Sequence, residues 1–240
     1  MTIFPIAQVN ELRNQAAEAC PEPDEAPDGW SKSKTDPMKL LGVFKTLKIK
    51  PGFVLRAYQY RAGGNGNGVV WAMPVDVPFP KPADCPMVAN RFLQPPKPPQ
   101  ALDELMDAIE GDGTPWSYLS ASIFAREAAE FGAIWHGCHW STHTILGAAP
   151  WQRDLTAKDR RKHQAVASGK ADEWKWNEPR PTAWEPSLDQ AGDNFSVSFL
   201  TISGLGQEMI YRWTDSFKAV SYAFDTKQEV VAEGPGGYVF

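Results

Sequence analysis

Phe195-Ser196-Val197-Ser198-Phe199 alternates apolar and polar side chains, and a period of two is the mark of a strand with one buried and one solvated face. The turn residues Ser203-Gly204-Leu205-Gly206 follow, and β-rich stretches at 208–214, 219–224 and 229–232 continue the pattern. Together they predict a four-strand antiparallel meander in the C-terminal region. The final Tyr238-Val239-Phe240 is apolar and is expected to tuck into a sheet or interface.

Upstream the spacing changes. Ile6, Val9, Leu12 and Ala16 share one face of a helix predicted over 5–19. Residues 20–37 hold four prolines, several acids and Gly29, and read as an irregular loop. Leu40, Leu41 and Phe44 suggest a short helix over 38–47, closed off by Gly52. The strand-like stretches 53–60 and 69–73 flank a glycine-rich loop at 62–68, a hairpin of the longer-loop type. Nine of the 21 prolines fall between Pro74 and Pro99, which excludes a regular helix or central strand there. Leu102, Leu105, Met106 and Ile109 predict a helix over 101–110. Thr114 with Pro115 opens another that runs through Phe131 to Gly132. Thr156 and Asp159 imitate a capping box for a polar helix ending near Gly169. Helices are thus segregated in the N-terminal and middle regions, so the fold class is α+β with an antiparallel sheet. The chain reads as one domain over 1–240, and its weakest point for a subdomain junction is 94–100.

With 240 residues, 42% of them hydrophobic and 22% charged, the chain can bury a sizeable core and is not compositionally disordered. Three cysteines do not make a disulfide framework. No stretch reaches the roughly 18 apolar residues of a membrane-spanning helix. Residues 1–13 carry neither a basic start nor an apolar run, so the expected compartment is a reducing cytoplasm. A net charge of −5 argues against nucleic acid as a partner. The basic run Lys158, Arg160, Arg161, Lys162 beside His163 reads as the solvated face of a helix.

The densest chemistry is Trp135-His136-Gly137-Cys138-His139-Trp140-Ser141-Thr142-His143. Imidazole and thiolate are favoured zinc ligands. On a helix His136, His139 and His143 would share a face, but Trp140 stands where a zinc protease places its catalytic glutamate. Gly132, Gly137, Thr142, Thr144 and Ile145 favour a strand instead. On a strand His139 and His143 lie about 13 Å apart, too far for one ion bound at about 2 Å. His136 and Cys138 become neighbours roughly 6.6 Å apart, close enough for an imidazole to perturb a thiol.

Other signals are weaker. Residues 63–68 lack the Gly-Lys-Ser/Thr ending of a phosphate loop, and Gly68 replaces the ligating aspartate of a calcium nonapeptide. Ser31 to Lys34 matches Ser-x-x-Lys without its companion motifs, and Pro95 to Pro98 fits both PxxP and a stiff spacer. The ten tryptophans include Trp174, Trp176 and Trp184, which flank Arg180 in a proline-containing loop suited to stacking on a planar ligand or pinning the loop to the core.

Two functional expectations follow. The first is a non-catalytic protein that binds a small molecule or a protein partner, needs no cofactor, and uses Gly63, Gly64, Asn65, Gly66 and Asn67 together with Trp174, Trp176, Arg180 and Trp184. The alternative is a hydrolase-like enzyme. It would use either zinc on His136, His139 and His143, or a Cys138 thiolate with His136, and Glu127 or Glu130 as the nearest carboxylate.

Overall fold

The computed structural model describes residues 1–20, 28–152, 167, 169–218 and 221–239. In chain order the elements are β1 (Thr2–Ile3), α1 (Ile6–Ala19), β2 (Gly29–Lys32), α2 (Pro37–Leu41), β3 (Leu47–Ile49), β4 (Phe53–Ala62), β5 (Asn65–Pro74), β6 (Ile109–Gly111), α3 (Pro115–Ala129), β7 (Thr144–Ile145), β8 (Lys175–Trp176), β9 (Ser187–Ala191), β10 (Asn194–Ser203), β11 (Met209–Phe217) and β12 (Phe224–Glu233). Every strand pair is antiparallel and the helices lie in the N-terminal and middle regions, so the fold is α+β. Among the described residues no helix is long and apolar enough to cross a membrane.

Contacts group the chain into two compact units. The first comprises Met1–Glu11, His139–Val220 and Phe224–Phe240, and the second Leu12–Cys138 with Ser221–Ala223. The proline run 95–99 lies within the second.

The first unit is a seven-stranded sheet in the order β1-β9-β10-β11-β12-β8, with β7 also paired to β10. Val197 and Phe199 are buried while Ser196 and Ser198 are half-exposed, as the alternation requires. From Phe199 to Ser203 both sheet faces are covered. Leu200, Ile202 and Ile210 join Leu146, Trp174, Val231 and Ala232 in one cluster, while Phe199 and Trp213 meet the ring of Trp140 on the other face.

The second unit holds the sheet β2-β4-β5, the ribbon β3-β6, and α2 and α3. One sheet face, carrying Tyr58, Trp71 and Met73, is covered by the proline-rich segment through Cys85 and Ala101. Phe79 stacks on Tyr58 at 4.5 Å, and the Tyr58 hydroxyl donates to the Pro80 carbonyl at 3.0 Å. Prolines donate no backbone hydrogen bond, so this segment covers the sheet as an apolar strap rather than as another strand.

Several local expectations are corrected. The loop at 62–68 is a two-residue turn: Gly63 and Gly64 have φ of 55° and 84°, the paired positive values of a tight hairpin, and Asn65 to Gly68 belong to β5. The irregular stretch 20–37 contains β2. The helix over 38–47 ends at Leu41, with Asp36 accepting from the Met38 amide. No α-helix forms over 101–110, because Leu102 gives its amide to the Ala72 carbonyl at the edge of β5, and the chain makes a 3-10 turn and then β6. Of the strand expected at 219–224, residues 219 and 220 lie outside the described residues, 221–223 are irregular and β12 begins at Phe224, while β9 supplies the meander's first member. The strand reading of 136–143 also fails. Trp135 has φ of +50°, and the bonds Cys138 N–H to Trp135 C=O and His143 N–H to Trp140 C=O close two 3-10 turns, so the extended spacings among these histidines and Cys138 do not apply. The helix over 156–169 and the basic run at 158–163 lie outside the described residues, apart from Ala167 and Gly169.

Candidate functional site: a cavity at the edge of β5

The second unit contains a cavity of about 420 Å³, within the size range of small-ligand sites. Asn67, Gly68, Val69 and Val70 all line it. Successive strand residues point to opposite faces, so a cavity touched by four in a row runs along the strand's edge. β4 is the central strand of this sheet and β5 an outer one, which leaves that edge unpaired by another strand.

Three kinds of wall complete it. Ala125, Ala128 and Ala129 come from α3, where spacings of three and four put small side chains on one face and leave the space open. Leu105 and Met106 close a second side, and Phe92, Leu93 and Pro95 a third. Leu93 and Gln94 have φ of 59° and 45°, a costly conformation for residues other than glycine. Trp30 is the aromatic wall, its ring 5.3 Å from that of Tyr60.

The charged rim is internally paired. Arg91 donates to the Asp103 carbonyl, lies 3.5 Å from Glu104 Oε1, and sits over the Trp71 ring at 5.1 Å. Lys97 meets Asp103 Oδ1 at 2.5 Å, and its hydrogen bond and charge hold the Asp103 carboxyl below its ordinary range. Two cations thus match two carboxylates.

Of the glycine-loop residues expected to grip a ligand, Asn67 lines the cavity; Gly63 and Gly64 form the hairpin tip. Gly66 and Gly68 are passages for neighbouring backbone: Ile134 N–H bonds the Gly66 carbonyl, and a Cβ on Gly68 would stand 2.0 Å from the Phe131 carbonyl oxygen. Asn65 Oδ1 accepts from the His136 amide at 3.4 Å. In the first unit Trp174 is a core residue, and Trp176 and Trp184 pack on its cluster. Their rings lie 5.9 and 5.8 Å from that of Trp151. Arg180 covers Trp176 at 5.3 Å and pairs with Asp172 at 2.7 Å.

The histidine cluster is divided. His136 and Cys138 belong to the second unit, His139 and His143 to the first. His143 Nδ1 lies 2.9 Å from Thr201 Oγ1, between the rings of Trp140, Tyr211 and Trp213. Glu127 is bound to Arg13, and Glu130 caps the end of α3. Among the described residues no group of three or more His, Cys, Asp or Glu side chains is placed to hold a metal ion.

Sequence reasoning missed Val70, Arg91, Leu93, Met106 and the alanine wall. The alanine spacing on α3 is the one signal that marks a place of missing volume; the other walls come from segments far apart in the chain. No known protein family, curated protein or solved structure matches the chain.

Proposed function

We propose that this protein is a binding protein whose ligand occupies the cavity at the edge of β5 and is neutral and mainly apolar. The observation that carries the reading is the combination of a 420 Å³ space walled by Val69, Val70, Leu93, Leu105, Met106 and three alanines with a rim whose charges are already paired. A charged ligand entering such walls loses its hydration without gaining a free counter-charge, whereas an apolar one gains about 25 cal/mol for each Å² removed from water. The binding expectation is thereby retained and relocated, with Asn67 the residue common to both.

The test uses N-phenyl-1-naphthylamine, a neutral fluorescent probe. Saturable enhancement in the wild type, lost in Ala129→Trp and Ala125→Phe at unchanged melting temperature, supports the reading. An unsaturable response, or one indifferent to both variants, overturns it.

A further inference from the structure

We infer that the cavity's ligand is an extended, uncharged peptide segment that adds to the open edge of β5 through the backbone of Val70. This rests on the reading of the cavity as the ligand site.

The phase of the ladder fixes which backbone groups face outward. In an antiparallel pair alternate residues direct both N–H and C=O away from the partner strand. Gly66 accepts from Ile134 and Ala72 accepts from Leu102, both on the side away from β4. Gly68 and Val70 are in the same phase, so their backbone groups face the same way. The Gly68 amide is taken by Asn67 Oδ1 at 2.8 Å. Among the described residues the outward N–H and C=O of Val70 have no backbone partner, although the residue is only 7% exposed. A donor and an acceptor that lack a protein partner on a largely buried residue are costly. An incoming backbone residue satisfies both at once, since one residue of an added antiparallel strand exchanges two hydrogen bonds with its opposite number.

The protein's own chain already bonds to the carbonyls of this edge at both ends, through the amides of Ile134 and Leu102. The interval between them is the part that faces the cavity. Side chains of an added strand alternate between two walls: the alanines of α3 on one side and Trp30 with Leu93 on the other. The paired rim of Arg91, Glu104, Lys97 and Asp103 favours a segment without charge.

The experiment displaces N-phenyl-1-naphthylamine with acetyl-valyl-leucyl-valine methylamide and with its analogue in which the leucine amide N–H is replaced by an ester oxygen. The amide peptide is expected to displace the probe and the ester to do so roughly 2- to 13-fold more weakly. The Val70 amide is expected to exchange its hydrogen more slowly at peptide saturation. If the probe binds and Ala129→Trp blocks it, but the peptide fails to compete or the ester competes equally, the peptide inference is wrong while the ligand site stands. If the probe itself does not bind, the underlying reading fails.

Discussion

Arg13 Nε donates to Glu127 Oε1 at 3.0 Å, with both side chains only 16% exposed, and so ties α1 to α3 across 114 positions of sequence. Removing one partner of a largely buried pair strands the other charge. Glu127→Gln is expected to destabilise the protein by about 1 to 3 kcal/mol, read by urea unfolding, and Arg13→Met with Glu127→Gln together should cost less than the sum of the single changes.

Beside that pair, burial and the charge of Glu127 push the Cys20 thiol from 9.0 up to about 12. Between those values the folded state keeps a proton that the unfolded chain loses, so stability declines as pH rises through that window. Cys20→Ala is expected to flatten this alkaline decline. The shift lowers the thiolate fraction at pH 8 about a thousandfold, and the greater nucleophilicity of a more basic thiolate recovers about twentyfold. Iodoacetamide should label Cys20 roughly fiftyfold more slowly than a free thiol, and Glu127→Gln should narrow that gap.

Glycine replacements should fall on a graded scale. A Cβ at Gly192 meets nothing within 4 Å, and the strain comes from φ of +60° alone, so Gly192→Ala costs about 1 to 2 kcal/mol. Gly68→Ala drives a methyl to 2.0 Å from the Phe131 carbonyl oxygen, a backbone atom that cannot rotate away, and should cost about 3 kcal/mol. Equal losses of stability in the two variants contradict this account.

Thr201 Oγ1 accepts from Trp213 Nε1 at 3.0 Å and stands 2.9 Å from His143 Nδ1. Indole nitrogen only donates, and the hydroxyl of the fully buried threonine either gives its hydrogen to the imidazole or accepts one from it, according to the tautomer of His143. The tautomer with its hydrogen on Nε2 lets the threonine donate as well as accept and is the expected one; a nitrogen NMR shift for Nδ1 without an attached proton will report it. Thr201→Val leaves both ring nitrogens facing a methyl group and should cost about 2 to 3 kcal/mol in thermal unfolding.

The chain announces its strands better than its turns. The alternation at Phe195 to Phe199 and the stripe Ile6, Val9, Leu12 give β10 and α1 directly, because both patterns follow from which side chains are buried. The stripe Leu102, Leu105, Met106, Ile109 is equally regular, yet no helix forms; Leu102 has its hydrogen bond to Ala72, a tertiary partner that no local pattern reveals. The histidine segment departs from its strand pattern for a similar reason: Thr142 Oγ1 donates to the His139 carbonyl at 2.6 Å within a 3-10 turn, a local partner that the alternation does not reveal. The cavity was least legible because Trp30, Val70, Arg91, Met106 and Ala128 become neighbours only through the fold.

The two-residue turn at Gly63 and Gly64 sets the register of β5: unless a bulge absorbs it, a change of one residue in the turn moves every β5 side chain to the opposite face. Side chains on β5 alternate between faces, and Gly66 and Gly68 stand on the face crossed by the chain near Phe131 and Ile134. One inserted residue would bring Asn65 and Asn67 into those places, and one deletion would bring Asn67 and Val69, presenting side chains where the Arg61 guanidinium fills the space at Gly66 and the Phe131 carbonyl oxygen that at Gly68. Such a frameshift in space would also exchange the Val70 edge groups for those of a neighbour, so the parity of a surface turn governs whether the interior closes and whether the cavity keeps its hydrogen-bonding pair.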